Sequence, residues 1–523
     1  MQPLVLIIGG GVTGTGLARD LALRGVPSVL VERRDINAGA SGGNHGLLHS
    51  GARYVSTDEA SAAACQEEAA LLRRLAPQCI EDTGGLFVAV PGDDEGYIAE
   101  FPDLCSRSSI ACRALEPKEA RSREPSLSSH IIAAYMVNDA TINPFQLSLE
   151  NLNQAIGLGA TYLGNHEVLD LRLDKGRIAE VALRHCPSGQ STRIVPDIVI
   201  NATGAWASRV AALFGVSIPM QVSKGTLAVT HSRMSNGVVN RLRPPDDGDI
   251  LVPGGNVSIL GTTSVPVDDL DTIRPTVAEV DQLVEEGAAM LPALEGVRYI
   301  RAYAGVRPLL SAGESPGDAR AASRGFSLFD HAEEGVANCI TITGGKLTTY
   351  RLMAEKTADL AAEKLGIEEP CQTRSQPLPS TPSGRWSEPK RSSRAWVKAS
   401  DSSDVLLCEC EMIPQSHFQE ILHCLTRSCP SDLNALKLRS RMGKGACQGS
   451  FCSVRVAGSL YDQGRLSGRT GLQQIMDFMR KRWIGQCPIL WDGQLVQAEL
   501  AEAMHSGLLG LDSFDPDEEA KLE

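Results

Sequence analysis

The chain has 523 residues, of which 42% are hydrophobic and 22% charged, and its formal net charge is −13. This length allows more than one domain, and the acidic balance excludes nucleic acid as the main partner, because neutralising phosphates requires a basic excess. No stretch approaches the roughly 20 apolar residues of a membrane span and no signal peptide is recognisable, so the predicted location is the cytoplasm.

The N-terminal strand, loop and helix have the pattern of a dinucleotide-binding unit. An apolar strand runs directly into Gly9, Gly11 and Gly14 in the spacing G-x-G-x-x-G, and the second strand ends just before Glu32. Gly9 allows the tight turn, Gly11 lets the backbone approach a pyrophosphate, and Gly14 lets the helix lie close to the strand. The helix N-terminus would face the phosphates, and Glu32 would accept hydrogen bonds from a ribose. These features predict a bound ADP moiety and leave nicotinamide and flavin dinucleotides open.

Three later segments favour FAD. The small residues of segment 39–54 would let the backbone pack against a flat ring. The strand at 197–204 arrives after a long excursion, as in two-domain flavoproteins that hold FAD in an extended pose. Segment 340–351 again combines a strand, a glycine pair and a helix start, whose N–H groups would stabilise negative charge on the pyrimidine end of a flavin. The residues predicted to contact the cofactor from these segments are Ser41, Ala202, Gly204, Gly344, Gly345 and Leu347.

These strings together resemble the FAD-dependent glycerol-3-phosphate dehydrogenases. Besides the Gly9 loop, the matching strings are Arg53-Tyr54, Gly261-Thr262-Thr263, Tyr303-Ala304-Gly305-Val306-Arg307-Pro308 and Gly344-Gly345-Lys346-Leu347-Thr348-Thr349-Tyr350-Arg351. The resemblance implies an α/β fold with an FAD-binding Rossmann-type domain and a second domain, like glutathione reductase and D-amino-acid oxidase. It also implies oxidation of sn-glycerol 3-phosphate to dihydroxyacetone phosphate, with the C2 hydride passing to FAD.

The same resemblance implies which side chains bind the substrate. Arg307 is the first candidate for the phosphate, because the planar fork of arginine suits phosphate oxygens. Arg53 and Arg324 are its predicted companions. Lys346 is expected near the flavin or the substrate oxygen. An exposed salt bridge is the alternative role for Arg324.

The catalytic base stays unassigned at this stage. Single-subunit, membrane-bound relatives carry a histidine just after a Lys-Gly pair, where this chain reads Lys224-Gly225-Thr226-Leu227. His231 lies a few residues further on, but strand alternation does not place it in the same position. His45 and His49 are candidates only through their position in the glycine-rich loop.

Composition divides the chain into four parts. The predicted FAD-dependent oxidoreductase ends at residue 370 and holds an inserted substrate subdomain at about 80–145 and 207–330. Proline, serine and basic residues then predict a linker, and a cysteine-bearing domain and a helical tail follow it. The predicted boundaries are 1–370, 371–402, 403–460 and 461–523.

Four of the fourteen cysteines form two close pairs after the linker, Cys408-x-Cys410 and Cys447-x₄-Cys452. Four thiolates from two loops fit tetrahedral sulfur ligation of two irons or one zinc. The glycine-rich approach to Cys447 offers N–H groups to cluster sulfurs, which favours [2Fe-2S]. This part resembles the small domain named after bacterioferritin-associated ferredoxin, although members of that family usually have two residues between the second pair of cysteines.

A flavin dehydrogenase fused to such a domain is the arrangement of the catalytic subunit in anaerobic, three-subunit members of the family. The resemblance therefore implies that electrons pass through the iron–sulfur domain to partner subunits and then to quinone. It also implies peripheral contact with the inner face of the cell membrane through a partner. Segment 478–484, both basic and aromatic, is a candidate docking face. Two other hypotheses remain open: a different FAD-dependent amine or 2-hydroxy-acid oxidoreductase, and a non-enzymatic zinc or iron–sulfur scaffold.

Overall fold

The computed structural model shows an α/β protein built around two large sheets. The described residues are 4–310, 325–380, 397–398, 403–424 and 433–511. The strands in chain order are β1 (Val5–Ile8), β2 (Ser28–Val31), β3 (Leu47–Leu48), β4 (Ile80–Glu81), β5 (Gly85–Ala89), β6 (Cys112–Leu115), β7 (Ala133–Val137), β8 (Ala140–Ile142), β9 (Thr161–Leu163), β10 (His166–Asp174), β11 (Arg177–His185), β12 (Ser191–Ile194), β13 (Ile198–Asn201), β14 (Met220–Thr230), β15 (Val238–Arg241), β16 (Ile250–Gly254), β17 (Val257–Gly261), β18 (Val265–Pro266), β19 (Tyr299–Leu310), β20 (Phe326–Asp330), β21 (Cys339–Gly344), β22 (Leu406–Cys408) and β23 (Ile413–Pro414). The α-helices are α1 (Val12–Leu23), α2 (Glu59–Leu75), α3 (Glu95–Arg107), α4 (Pro117–Arg123), α5 (Pro144–Gly157), α6 (Ala207–Ala212), α7 (Val277–Met290), α8 (Tyr350–Leu365), α9 (Gln415–Cys424), α10 (Leu433–Arg439), α11 (Cys452–Asp462), α12 (Gly468–Gln486) and α13 (Gly493–Glu502).

The first sheet forms the centre of the N-terminal unit. Its strand order is β20-β21-β13-β1-β2-β9, and neighbouring strands are parallel except for the antiparallel pair β20 and β21. Val5 and Ile7 of β1 pack with α1, α5 and α8, whereas Leu6 and Ile8 pack against the small sheet β10-β11-β12. Because both faces are covered, β1 is a continuous apolar run rather than an alternating one.

The second sheet brings the two predicted inserted stretches together. Its order is β18-β14-β17-β16-β15-β5-β7-β6, with β19 paired antiparallel to β14. The strands come from 85–137 and 220–310. Strand β19 presses against the first unit, since a Cβ added at Gly305 would lie 2.0 Å from the carbonyl oxygen of Gly43. This contact places Arg307, on the same strand, at the boundary between the two sheets.

The C-terminal part of the described chain forms one small unit. Strands β22 and β23 and helices α9 to α12 share a hydrophobic core that includes Cys408, Cys452, Ile475 and Phe478. The tail predicted to be separate from residue 461 onward therefore joins the cysteine domain. Ile475 and Phe478 of α12 are buried against the cysteine-bearing elements, and burial of apolar area stabilises this association.

Part of the predicted linker packs on the first unit. Within 371–380, the Thr373 hydroxyl lies 3.1 Å from a carboxylate oxygen of Asp20, and the Leu378 N–H donates to the Leu75 carbonyl at 2.7 Å. The Leu378 side chain is buried in the adjoining core. Composition alone did not reveal these contacts because they are made with residues far away in sequence. Most of the remaining predicted linker lies outside the described residues.

Helix α12 carries the segment 478–484 that was considered as a docking face. Phe478 and Arg482 are buried within the protein, whereas Trp483 is half exposed. Arg480, Lys481 and Trp483 remain exposed, so the docking role of this segment stays a prediction. Neither α12 nor any other helix in the described part of the chain is long and apolar enough to cross a membrane.

A buried ion pair fastens the C-terminal unit to the first one. Arg439 of α10 donates to the Asp35 carboxylate from Nε at 2.8 Å and from Nη2 at 2.6 Å, and the Tyr162 hydroxyl donates to the same carboxylate at 2.9 Å. Removing one member of such a pair leaves an unpaired buried charge and costs about 3–5 kcal/mol. The pair thus holds the cysteine-bearing unit in a fixed position against the first sheet.

Candidate active site

A cavity of about 600 Å³ lies between the two large sheets. The glycine loop, segment 38–49 and the turn after β21 form one part of its wall, and β19 forms another. The predicted site residues that line it are Gly9, Gly11, Glu32, Ser41, Arg53, Ala202, Gly204, Arg307, Gly344, Gly345, Lys346 and Leu347. Gly14 lies behind the wall, in α1. Arg324 lies outside the described residues.

The glycine loop is shaped by two close backbone approaches. Gly9 has φ +114°, and a Cβ there would lie 2.6 Å from the Ala202 carbonyl oxygen. A Cβ on Gly14 would lie only 1.9 Å from the carbonyl oxygen of Gly9. The Ser41 hydroxyl accepts a hydrogen bond from the N–H of Val12 at 2.9 Å. The start of α1 is therefore held against the cavity, as phosphate binding at a helix N-terminus requires.

We expect Gly14→Ala to abolish cofactor binding or prevent folding. The added methyl group meets backbone rather than a flexible side chain, so the strand and helix would have to separate. The measurement is the FAD content of purified protein together with its thermal unfolding. Gly157→Ala is the matched control, because a Cβ at this other helical glycine would have nothing within 4 Å. Normal FAD content in Gly14→Ala would contradict the expectation.

Glu32 ties the loop to the end of β2. Its Oε2 accepts from the Gly10 N–H at 2.8 Å and its Oε1 from the Arg34 N–H at 2.8 Å. Burial raises the pKa of the Glu32 carboxyl above its ordinary value, and these two donors oppose the rise. Each carboxylate oxygen can accept more than one hydrogen bond, so Glu32 can both fix the loop and bind a ribose hydroxyl.

Two arginines converge on the side of the cavity beside the second sheet. Arg53 donates from Nη2 to Asp249 at 3.0 Å, and its buried Nη1 has no hydrogen-bond partner among the described residues. Arg307 donates from Nη1 to the carbonyl oxygen of Thr263 at 3.0 Å and from Nη2 to the hydroxyl of Thr262. Both guanidinium groups are thus held in place at the cavity wall. Such a pair suits a ligand with an anionic group.

Asp249 was not found from the sequence. It is buried and lies between Arg53 and Arg243, with 2.8 Å to the second arginine. Asp249 and Arg53 are far apart in sequence, and no motif links them. The Thr262 and Thr263 contacts, by contrast, fall within one of the strings that carry the family resemblance.

Lys346 and its neighbours also line the cavity. Its ammonium lies 4.4 Å from the centre of the Tyr54 ring, and the Tyr54 hydroxyl lies 3.4 Å from Nε2 of His49. Lys346 lies within the turn after β21, next to Gly345. The lysine is therefore positioned where it can meet a ligand oxygen and a flavin together.

His45 lines the cavity near both arginines. Burial, followed by the positive charges of Arg307 and Arg53, lowers the pKa of His45 to about 3. Its Nδ1 is buried with no hydrogen-bond partner in the part of the chain that the structure describes. Leu227, two residues after Gly225, also lines the cavity but is apolar. His45 is therefore an uncharged imidazole on the cavity wall. From the sequence it was a candidate for the catalytic base only through its position in the glycine-rich loop.

Comparison with known proteins decides the family. Residues 5–360 match the family described as FAD dependent oxidoreductase. The chain belongs to this family. It is 39% identical to the A subunit of the anaerobic glycerol-3-phosphate dehydrogenase of Escherichia coli K12, over 98% of each chain. It is 37% identical to the A1 subunit of the anaerobic glycerol-3-phosphate dehydrogenase of Haloferax volcanii, over 98% of this chain and 92% of the relative.

A solved structure shows the same fold. The glycerol-3-phosphate dehydrogenase of Bacillus halodurans, determined in complex with FAD, matches with a TM-score of 0.66. The match covers 94% of this chain and 96% of that one at 21% identity. The predicted α/β flavoprotein fold and the choice of FAD over a nicotinamide cofactor are thereby confirmed.

The residues that line the cavity in this chain fit FAD. The close approaches at Gly9 and Gly14 hold the loop backbone and the start of α1 together, and Gly9, Gly11 and Glu32 line the cavity. Gly344 and Gly345 turn the chain from β21 toward α8 on the cavity wall. Adenosine, pyrophosphate and flavin portions thus each have a matching stretch of wall.

The four predicted metal-ligating cysteines lie together in the C-terminal unit. Side-chain contacts link Cys408 to Cys452, Cys452 to Cys447, and Cys447 to Cys410. Cys452 starts α11, and Cys408 ends β22. The described residues contain no group of three or more His, Cys, Asp or Glu side chains arranged to hold a single metal ion. The sulfurs therefore form a chain of contacts rather than one closed centre.

We expect His45→Gln to reduce the loss of folding stability at acidic pH. The folded-state pKa of about 3 is below the ordinary 6.5, so between these values the unfolded chain binds the additional proton. Wild-type stability should therefore fall as the pH decreases from 6.5 toward 3, and part of this loss should disappear in the variant. Denaturant unfolding at a series of pH values measures it. His130→Gln, at an exposed histidine, is the control, and equal slopes for wild type and His45→Gln would contradict the expectation.

Proposed function

We propose that this protein is the flavin-bearing subunit of an anaerobic glycerol-3-phosphate dehydrogenase and oxidises sn-glycerol 3-phosphate to dihydroxyacetone phosphate. The observation that carries the proposal is the convergence of Arg53 and Arg307 on the cavity that holds the dinucleotide loop. A phosphate bound by these arginines would place the rest of a small substrate toward Lys346. The full-length relatives, whose names give them as the corresponding subunits of this enzyme, support the proposal.

The chain's own residues account for binding and orientation. Arg307 and Arg53 hold the phosphate, and Thr262, Thr263 and Asp249 keep the two guanidinium groups in position. Alignment of reacting groups in this way can supply much of an enzyme's rate acceleration. FAD, when bound, accepts the C2 hydride of the alcohol.

We assign to His45 the role of accepting the hydroxyl proton. Its imidazole is neutral because of burial and the two arginines, and only a neutral imidazole can take up a proton. The charge of a bound phosphate would offset Arg53 and Arg307 and raise the pKa of His45 as the substrate arrives. In the His45→Gln variant, flavin reduction by substrate should slow by about 10²–10⁴-fold.

The cysteine quartet supports a [2Fe-2S] cluster as a second proposed cofactor. The four thiols lie close enough to contact one another in pairs, and such a set would supply the two thiolate pairs that hold the two irons of this cluster. Cys408, Cys410, Cys447 and Cys452 would be the ligands. Such a cluster would let electrons leave the flavin singly.

Partner subunits and quinone complete the proposed pathway. The word subunit in the names of the relatives supports a multi-subunit enzyme. We propose peripheral attachment to the inner face of the cell membrane through another protein of the complex.

Anaerobic titration with sn-glycerol 3-phosphate tests the proposal. Flavin absorbance should bleach with this substrate and not with glycerol, glycine or lactate, and EPR should then detect a reduced iron–sulfur centre. Chemical analysis should find iron and acid-labile sulfide. Bleaching by glycine or lactate alone would favour an amine or 2-hydroxy-acid oxidoreductase. Colourless protein with bound zinc would contradict both proposed cofactors and favour a scaffold.

A further inference from the structure

Positive side chains collect where the cysteine-bearing unit meets strand β19. Arg482 is 1% exposed, although it belongs to a residue type that is rarely buried without a partner. An added Cβ at Gly485, one turn further along α12, would lie 2.6 Å from the Ala302 carbonyl oxygen. Helix α12 is thus packed directly on β19. The group, hereafter the cationic cluster, consists of Arg301, Lys437, Arg441, Lys444 and Arg482.

Negative charge does not balance this cluster in the described part of the chain. Arg441 pairs with Glu411 at 2.5 Å. Arg482 donates from Nη1 to Gln448 at 3.3 Å, but its buried Nε and Nη2 and the buried Nε of Arg301 have no hydrogen-bond partner among the described residues. Burial and the neighbouring positive charges hold the pKa of Lys437 well below its ordinary value.

The cationic cluster adjoins the four cysteines. A Cβ on Gly443 would lie 2.6 Å from Nη2 of Arg482, and Gln448, which accepts from Arg482, directly follows Cys447. Arg482 interacts electrostatically with three of the cysteine side chains, and Arg441 interacts with one. An uncompensated buried charge such as that of Arg482 is strongly unfavourable. Its position beside the cysteines therefore points to an anionic group at the sulfurs.

Neutral thiols cannot supply that negative charge. Four thiolates with two ferric ions and two sulfides carry a doubly negative charge, and the addition of one electron makes it triply negative. Nearby positive charge stabilises the more negative, reduced form to a greater extent. An iron–sulfur cluster surrounded by these cations is therefore easier to reduce.

The cationic cluster also connects the sulfurs with the flavin cavity. Arg301, Tyr303 and Arg307 are alternate residues of β19 and so lie on one face of it, with roughly 20 Å between the first and last. The Arg301 guanidinium lies 5.5 Å from the Tyr303 ring centre, and the Tyr303 hydroxyl donates to the Asn44 carbonyl at 2.8 Å. Strand β19 thus carries Arg307, the proposed phosphate-binding residue, and Arg301, a member of the cationic cluster, at separate points along one face.

A second connection runs through Lys444. Its ammonium lies 3.3 Å from the centre of the Phe145 ring, and this ring reaches within 3.3 Å of the Cβ position of Gly42 in the glycine-rich loop at the cavity. Lys444 is three residues before Cys447 in sequence. The cationic cluster therefore lies between the two proposed redox centres.

We propose that Arg301, Lys437, Lys444 and Arg482 are the counter-charge of an anionic iron–sulfur centre and raise its reduction potential so that it accepts electrons from the flavin. This inference rests on the proposed [2Fe-2S] ligation by Cys408, Cys410, Cys447 and Cys452. These cations act on the centre through charge and are positioning residues rather than catalytic ones. The same charges should destabilise the protein whenever the centre is absent.

Arg482→Met tests the proposal in the full chain, because its two expected effects have opposite signs. In the iron-loaded protein, EPR-monitored redox titration should show an equilibrium constant for cluster reduction about tenfold smaller, which is about 59 mV for a one-electron couple. In protein freed of iron by anaerobic chelation, the variant should unfold at a higher temperature than wild type, because like-charge repulsion is removed. Arg482→Lys should restore the wild-type potential.

Controls separate this proposal from the proposed function. Arg480→Met, on an exposed position of the same helix, should change neither the potential nor the stability of iron-free protein. If Arg482→Met prevents folding, Arg301→Gln is measured in its place. An unchanged potential, or lower stability both with and without iron, would overturn the counter-charge and leave the cluster proposal intact. Wild-type protein without iron and sulfide would overturn the cluster proposal and this inference together.

Discussion

Replacement of Arg307 by alanine is expected to raise KM for sn-glycerol 3-phosphate about 30-fold or more, because loss of one member of a buried charge pair costs about 2–5 kcal/mol. Two of its nitrogens are held by Thr262 and Thr263, so the guanidinium is already oriented before the substrate binds. Arg307→Lys should lie between wild type and alanine, since it keeps the charge but loses the planar fork. Steady-state kinetics under anaerobic conditions with an artificial electron acceptor provide the measurement.

The control for this prediction is Arg193→Ala. Arg193 is a largely exposed arginine that pairs with Glu180 at the surface, so its removal should leave KM unchanged. FAD content should be normal in both variants, which separates substrate binding from cofactor loss. A change in KM of less than threefold in Arg307→Ala would favour an oxidoreductase that acts on an unphosphorylated substrate.

Cys452→Ser is expected to leave flavin reduction by substrate intact and to abolish electron transfer to partner subunits. The Cys452 side chain is buried and contacts both Cys408 and Cys447, so it occupies the middle of the sulfur chain. Serine is a poor ligand for iron compared with a thiolate, so iron and sulfide content should fall severalfold. Substrate should still bleach the flavin at the wild-type rate, while transfer of electrons from the chain to partner subunits should be lost. Stopped-flow absorbance and metal analysis on the same preparation measure both effects.

Cys186→Ser serves as the matched control, because Cys186 is an exposed cysteine far from the quartet in sequence. Its iron content and its electron transfer should equal those of wild type. Wild-type iron and sulfide in Cys452→Ser would contradict the proposed ligand set. Loss of flavin reduction in the same variant would instead mean that the cysteine unit is needed to form the substrate cavity.

The cofactor-binding loop is a part of the structure that local sequence patterns predict. The close spacing of Gly9, Gly11 and Gly14 and the position of Glu32 after β2 are set by a few consecutive residues, and the structure places Gly9, Gly11 and Glu32 on the cavity wall. The helix packing that Gly14 permits is likewise a contact within a short stretch of chain. Backbone geometry of this kind depends on local residue types, so it can be predicted without knowledge of the rest of the fold.

The surroundings of Arg53 and His45 could not be predicted from local patterns. Arg53 and Arg307 could be named from family strings, but the carboxylate that holds Arg53 comes from Asp249 on a distant part of the chain. The neutral state of His45 likewise results from burial next to two arginines and not from its neighbours in sequence. Neither feature has a periodicity or spacing that sequence analysis could detect.

Sequence patterns alone predicted the strand–glycine–helix unit and the two close cysteine pairs, because each depends on residues a few positions apart. They also predicted FAD, because three short segments far apart in the chain each have a recognisable local pattern. The sharing of one core by α12 and the cysteines, and the position of the buried Arg482 beside the half-buried Arg301, follow only from the tertiary structure. The physical reason is that burial and electrostatic interactions act between side chains that are near in space. Strand pairing and helix packing, rather than chain order, bring those side chains together.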